Sequence, residues 1–361
     1  MAKRRIGILT SGGDCPGLNA TIRGAVRSCY HLMGEDNVEI VGISEGYYGL
    51  INDHCALMKP SDFYGILTRG GTILGTKRTP YKMMQVVEDD DVDKVKQMKL
   101  TYNKWGLDCL LTLGGNGTHK TANLLSEEGL NVIGLPKTID NDIWGTDVTF
   151  GFHTAVDIGT EVIDRIHTTA HSHSRVMVVE IMGNKSGWLA LYTGIAGGSD
   201  IVLIPEIPYE PKKVAETVRR RADDGKPGLV ITVAEGAMDA EEALLKRKER
   251  AKKRAEAGEV TVTGRIADFV QEEAKIETRA VVPGHMLRGG SPSAYDRILA
   301  TQFGARAAAL VKMGKFGYTV AKKGSDVTEN KLSDVAGKSR FVDVEGEMVK
   351  TARSIGMYFG D

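Results

Sequence analysis

Apolar residues in this chain gather into short unbroken runs instead of alternating with polar ones. The runs occupy residues 6–9, 38–43, 109–113, 132–135, 175–181, 201–204 and 229–234. Rich in Val, Ile and Leu and bounded by turn residues, they predict strands buried on both faces, because a half-exposed strand would show period two. Helical patterns fill the intervals, at 21–33, 92–105, 121–129 and 156–169. Strand alternating with helix predicts an α/β chain. Its expected form is two doubly wound, Rossmann-like, three-layer domains with mostly parallel sheets. In such folds ligands bind beyond the carboxyl ends of the strands, and the unusual polar clusters of this sequence fall there.

One stretch has a different character. Residues 239–257 read DAEEALLKRKERAKKRAEA, with basic residues interleaved with glutamates and no Trp or Phe. A basic face for membrane or nucleic acid is the sharper reading. A solvated helix carrying i,i+4 pairs, Glu242 to Lys246 and Glu249 to Lys253, is favoured because no apolar face accompanies the charge.

Composition narrows the class. The 361 residues carry 47 Lys+Arg and 47 Asp+Glu, giving zero net charge, which speaks against nucleic-acid binding through a basic face. No run approaches the ~20 apolar residues of a membrane helix, and the first apolar run is too short for a signal segment. A cytoplasmic location without membrane attachment is expected. Cys15, Cys29, Cys55 and Cys109 lie far apart, without metal-finger spacing. Glycine is abundant, 43 residues, and five adjacent pairs occur, at 12–13, 70–71, 114–115, 197–198 and 289–290. With 10 prolines and no three-residue repeat, a collagen-like reading is excluded.

Four clusters can carry chemistry. TSGGDCPGLN at 10–19 follows the first strand and opens a helix, so that glycine backbone and helix N-terminus together suit an anion, or form a plain tight turn. GGNGTHKT at 114–121 nearly spells a P-loop, but His119 stands where that motif needs glycine before Lys120-Thr121, which leaves a phosphate cradle of another kind. PKTIDND at 136–142, if extended, puts Thr138, Asp140 and Asp142 on one side, two carboxylates able to divide the roles of base and metal neighbour. The alternative there is a solvated turn. Arg279 and the segment 283–292, PGHMLRGGSP, supply two arginines and a histidine, a plausible phosphate clamp that Arg175 could join, although each arginine singly suits a surface ion pair. His167, His171 and His173 are spaced for metal on a helix, yet lack a third ligand and an acidic base, so ordinary helix-end histidines are favoured.

Taken together, the chain resembles the phosphofructokinase family from residue 6 to about residue 340. The resemblance rests on TSGGDCPGLNA at 10–20, RGGTILGTKR at 69–78, GGNGT at 114–118, PKTIDND at 136–142, HSR at 173–175, EIMGNKSGWLA at 180–190, AEGAM at 234–238 and PGHMLRGGSPSAYDR at 283–297. It implies phosphoryl transfer from ATP, or in some members pyrophosphate, to the 1-hydroxyl of fructose 6-phosphate. It implies a larger donor domain of residues 1–150 and 288–337 and a smaller fructose-6-phosphate domain of 151–287 and 338–361. By motif, Asp140 is the base, with Thr138 and Asp142 flanking the transferring group and Arg78 neutralising its charge. Gly12, Arg78, Gly115, Asn116, Gly117, Thr118 and Lys137 line the donor. Asn116 and Asp142 are the residues near Mg²⁺. Met182, Gly183 and Glu235 hold sugar hydroxyls, and His285 and Arg288 bind the 6-phosphate. Arg175 and Arg279 reach it from a neighbouring subunit, implying a homo-oligomer with shared sites, a tetramer.

For the donor, Gly117 favours ATP, because pyrophosphate users resemble an aspartate there, whereas Lys137 resembles the pyrophosphate users. Four positions depart from the family pattern: Asn116 for an aspartate, Thr121 for a glycine, Ser44 for a tyrosine of the nucleotide pocket and Asn184 for an arginine. Arg23 and Arg27 match the effector region, but His167 and Asp224 replace basic residues, implying weak or absent effector control. A non-catalytic sugar-phosphate sensor on the same fold is the alternative of another class, and the presence of Asp140 with the clamp arginines argues against it. A lipid or NAD kinase shares only the glycine-rich loop.

Overall fold

All seven apolar runs form strands in the computed structural model, which describes residues 3–85, 93–225, 228–258 and 261–361. The strands are β1 Arg4–Ser11, β2 Val38–Ile43, β3 Cys55–Met58, β4 Cys109–Gly114, β5 Val132–Pro136, β6 Val176–Ile181, β7 Ile201–Leu203, β8 Leu229–Ala234, β9 Thr278–Val281, β10 Tyr318–Lys323 and β11 Asp326–Lys331. The chain divides into two units, Met1–Thr154 with Arg288–Arg340, and Ala155–Leu287 with Phe341–Asp361.

In the larger unit the strand order is β11-β10-β5-β4-β1-β2-β3, parallel except at the two edges, where β3 and β11 run antiparallel to their neighbours. β4 and β5 are buried along their whole length, which is why their sequence is continuously apolar. One face packs through Leu9, Val41, Ile43, Leu110, Leu125 and Val132. The first strand is followed by β2 on one side and flanked by β4 on the other, so the order reverses between β1 and β4. That reversal is the switch point at which doubly wound sheets open a crevice. In the smaller unit the order is β7-β8-β6-β9, all parallel, over a core of Val178, Leu203, Val218, Ile231, Ile266 and Val270.

Three expectations are corrected. The helix expected from residue 121 spans Asn116–Glu127, so Asn116, Gly117 and Thr118 lie in its first turn, capped by Gly115, instead of in a loop. The charged stretch is two helices, Ala240–Ala243 and Arg247–Glu256, and Glu242 is fully buried instead of pairing with Lys246. The helix expected at 92–105 runs Lys94–Lys104, and its Val92 lies outside the described residues. Among the described residues, no helix is long and apolar enough to cross a membrane.

Candidate functional site

Parallel register decides which loops meet. Ser11 pairs with Gly114, and Gly114 with Pro136, so β1, β4 and β5 end level with one another. The segments beginning at Gly12, Gly115 and Lys137 therefore leave the sheet side by side, at the switch point. Gly115 caps the helix Asn116–Glu127 without a side-chain bond, leaving the first-turn N–H groups of Asn116, Gly117 and Thr118 for an external acceptor. Thr118 is buried, its carbonyl accepting a 3.0 Å bond from the Tyr47 hydroxyl. His119, the residue that breaks the P-loop pattern, has a structural task. Its Nδ1–H donates to the Gly115 carbonyl at 3.0 Å, and Nε2 accepts from the Thr319 hydroxyl at 2.8 Å. Burial holds its pKa down at about 4, so the imidazole is neutral.

The glycines here differ in what holds them. Gly12 sits at φ +85°, and its carbonyl accepts a 2.6 Å bond from the Thr76 hydroxyl. A Cβ on Gly13 would overlap the Arg288 guanidinium, and one on Gly70 would overlap the Gly290 carbonyl, so two of the paired glycines meet across the chain. Gly117 is the opposite case: its φ is not left-handed, and a Cβ there would meet nothing within 4 Å. Neither backbone conformation nor packing requires glycine at that position.

Lys137 is buried and donates to the Gly13 carbonyl, tying the first and third motifs together. Burial lowers its pKa. Cys15 in the same loop is buried with its thiol pushed up to about 12, so it is an inert core residue. Asp140 is partly buried; burial raises its pKa, opposed by the charges of Arg288, Lys137 and Arg78. The structure thus puts the expected base among three of the expected cations. Thr138 accepts a 3.1 Å bond from the Asp140 amide.

The segment is not uniformly extended, however. Asn141 adopts φ +52°, with its Oδ1 accepting from the Thr149 amide at 3.0 Å, and this turn breaks the period-two alternation. Asp142 faces Asn116 as a result: Asn116 Nδ2 donates to Asp142 Oδ2 at 2.8 Å. Asn116 Oδ1 is buried with no hydrogen-bond partner among the described residues. An orphaned amide oxygen beside a carboxylate is the donor chemistry Mg²⁺ takes, with phosphates and water completing its shell. The residues present therefore fit that ion. Arg288 Nε is likewise buried without a partner, an unpaired cationic N–H beside Gly13 and Asp140.

In the smaller unit the same register argument applies. Ile181 pairs with Ala234, so Met182-Gly183 and Glu235 emerge next to each other. The Glu235 amide donates to the Ile181 carbonyl at 2.9 Å. Gly183 needs its φ of +134° for the turn. Met177 pairs with Arg279, which brings the ends of β6 and β9 together. There Arg175 and Arg279 share Glu277, at 2.7 and 2.5 Å, and hold its carboxyl below the usual range. His285 is exposed in the short helical turn Gly284–Arg288. His167 Nε2–H donates to the Gly197 carbonyl at 2.7 Å, the role of a helix-end histidine.

Sequence reasoning missed three contributors. Glu206 accepts from the Gly187 amide with both oxygens at 3.0 Å and fixes the end of the Met182 turn. Asp296 is buried and accepts from the Gly151 and Thr154 amides. Arg247 donates to Asn184 Oδ1 at 3.0 Å. The third had a signal: Arg247, Arg250 and Arg254 fall at i, i+3 and i+7, one helix face, with lysines on the others.

An anion cradle at a switch point, beside a carboxylate ringed by cations, has the makings of an enzyme that moves phosphoryl groups. The chain belongs to the phosphofructokinase family, which it matches over residues 5–311. It is 53% identical to an ATP-dependent 6-phosphofructokinase of Spirochaeta thermophila, covering 100% of this chain and 98% of that one. It is 44% identical to a pyrophosphate–fructose 6-phosphate 1-phosphotransferase of Amycolatopsis mediterranei, covering 94% and 97% respectively. Among solved structures, phosphofructokinase from Saccharomyces cerevisiae superposes with a TM-score of 0.79 at 30% identity, covering 92% of this chain and 45% of that one.

Proposed function

We propose that the chain transfers the terminal phosphoryl group of ATP to the 1-hydroxyl of fructose 6-phosphate, giving fructose 1,6-bisphosphate and ADP. The observation that carries the choice of donor is the open space at Gly117. A glycine in the first turn of a helix, with no steric or backbone reason to be there, points to a ligand that needs the room. The α-phosphate of a nucleotide is such a ligand. A side chain as large and as negative as aspartate would exclude it.

The larger unit holds the donor. Backbone N–H groups of Gly12, Gly115, Asn116, Gly117 and Thr118 receive its phosphates, with Lys137 beneath them. Asp140 takes the proton of the attacking hydroxyl. Its burial raises the pKa, which makes the carboxylate more basic, while the charges of Arg288, Lys137 and Arg78 oppose that rise. Arg78 and the unpaired Nε of Arg288 meet negative charge, and Thr138 orients Asp140. Asp142 and Asn116 Oδ1 would hold Mg²⁺, which supplies charge neutralisation on the phosphates when bound. Met182, Gly183 and Glu235 hold the sugar hydroxyls, and His285 and Arg288 its 6-phosphate. Arg175 and Arg279, gathered on Glu277, are assigned to a neighbouring subunit's acceptor, in a cytoplasmic homotetramer.

Pyrophosphate is the second reading. Lys137, which resembles the pyrophosphate users, favours it, as does a relative of that name at 44% identity. A donor comparison on purified protein, with and without Mg²⁺, decides. Turnover with ATP and fructose 6-phosphate that depends on Mg²⁺ is expected; turnover with pyrophosphate alone would overturn the ATP reading.

A further inference from the structure

The charged helix Arg247–Glu256 buries none of its residues, yet its arginines are all engaged. Arg254 pairs with the fully buried Glu242 through two 2.7 Å bonds and donates to the Ala237 carbonyl at 2.9 Å. Arg250 contacts Met238 Sδ at 2.6 Å. Arg247 donates to Asn184 Oδ1 at 3.0 Å. Lys252 and Lys253, on other faces, are 78% and 53% exposed. The arginine face therefore grips two segments, 182–184 and 235–238. These segments are themselves interlocked: the Gly236 amide donates to the Gly183 carbonyl at 3.2 Å, and a Cβ on Gly236 would overlap the Asn184 carbonyl. Glu206 anchors the far end of the first segment at Gly187. Asn184, at its exposed apex, has Arg247 as its side-chain partner.

We propose that this helix is a positioning element for the acceptor turns, and that Arg247, acting through Asn184, sets the affinity for the sugar phosphate. The proposal rests on the reading that Met182, Gly183 and Glu235 hold the acceptor. Arg254 with Glu242 seats the helix, and Arg247 is the arm that reaches the turn. A turn that loses its apex brace, though still tied at Gly183 and Gly187, samples more geometries that cannot meet a sugar hydroxyl, and that loss falls on acceptor binding and not on the donor.

The test compares Arg247→Ala, Arg247→Lys, Asn184→Ala and the Arg247→Ala/Asn184→Ala double variant in the full chain, with the outward Lys248→Ala as control. Two readouts are taken: steady-state kinetics, and hydrogen exchange of residues 182–187 without ligand. Arg247→Ala is expected to raise KM for fructose 6-phosphate about three- to tenfold, with kcat and KM for the donor within about twofold. Exchange in 182–187 should quicken. The lysine variant should recover part of both effects, and the double variant should be no worse than either single one. Unchanged KM and unchanged exchange in Arg247→Ala, or additive effects in the double variant, would overturn the proposal. Failure of the wild-type chain to use fructose 6-phosphate would instead defeat the functional reading, and the exchange measurement would still decide whether Arg247 orders the turn.

Discussion

The two units hold their candidate ligand residues by opposite means. In the larger unit, charge is taken into the protein: Lys137 is buried under the Gly13 carbonyl, Asp140 is partly buried among cations, and Arg288 and Asn116 each keep a buried polar atom unpaired. In the smaller unit Met182 and Gly183 are buried, and the apex of their turn, Asn184, is exposed, braced by exposed or half-exposed arginines from a helix with no buried residue. Buried, unpaired polar groups cost stability and are kept rigid by their surroundings, so they fix geometry in advance for a charged ligand. Braces that stay at the surface, such as Arg247 on Asn184, contribute little individually, whereas Arg254 reaches inward to a buried carboxylate. The contrast predicts that substitutions in the larger unit change the rate of chemistry, whereas those in the smaller unit change stability or acceptor affinity.

The strongest test is Asp140→Asn. Its kcat should fall about 10²–10⁴-fold, without loss of melting temperature. The sign follows from linkage. A carboxyl whose folded pKa is raised contributes stability present below its unfolded pKa and lost as pH rises through the folded value. A charge carried at this site is thus a burden that asparagine removes. A destabilised Asp140→Asn with full activity would erase the contrast.

Next in size is Arg254→Ala, which leaves the buried Glu242 carboxylate to Arg265 and the Asp239 amide and should cost about 2 kcal/mol in urea unfolding. Burial acts to raise the Glu242 carboxyl, but the hydrogen bonds from Arg254 and Arg265 outweigh it and hold the pKa at about 2. That stabilisation is present above pH ~4.5 and is lost as pH falls toward about 2.

Gly117→Asp sharpens the comparison from the other side. Because a Cβ there meets open space, the variant should fold with its melting point within about 2 °C of wild type. Turnover with ATP should fall by roughly tenfold or more, and the pyrophosphate-to-ATP ratio should rise. A melting point lowered well beyond that margin would show that the position is structural after all.

The smallest effect concerns His119. With its folded pKa held at about 4, the neutral imidazole contributes stability present above pH ~6.5 and lost as pH falls through about 4. Melting curves of wild type and His119→Gln should therefore differ in slope over that interval and run parallel above it.

How legible this molecule was depended on burial. Seven parallel strands, β1, β2, β4, β5, β6, β7 and β8, were readable because burial leaves each of them a continuous apolar run, even β7 at the edge of its sheet. β3, β9, β10 and β11 were not anticipated: β11 reads DVTENK, with polar residues that an edge strand tolerates, and β9 is four residues long with Arg279 exposed. The motif loops could be located because each follows a central strand. Their relative placement came only with the register of Ser11, Gly114 and Pro136. The turn at Asn141 escaped notice because an Asp-Asn-Asp string does not announce which residue turns left-handed. The charged stretch misled for a different reason. Lysine and arginine count alike in a charge tally, and only their separation onto different helix faces reveals that one face has partners.

Gly117 has a consequence for how the protein can change over time. An aspartate at this position would meet neither a strained backbone nor a clash. The shape of the cradle is set by strand spacing, ~5 Å per neighbour, which side-chain substitution does not alter. What can alter is how much of that width stays open. On the reading that Gly117 makes room for the donor, a single substitution there would shift donor preference between two well-folded proteins, a path that the tightly packed Gly13 and Gly70 do not offer.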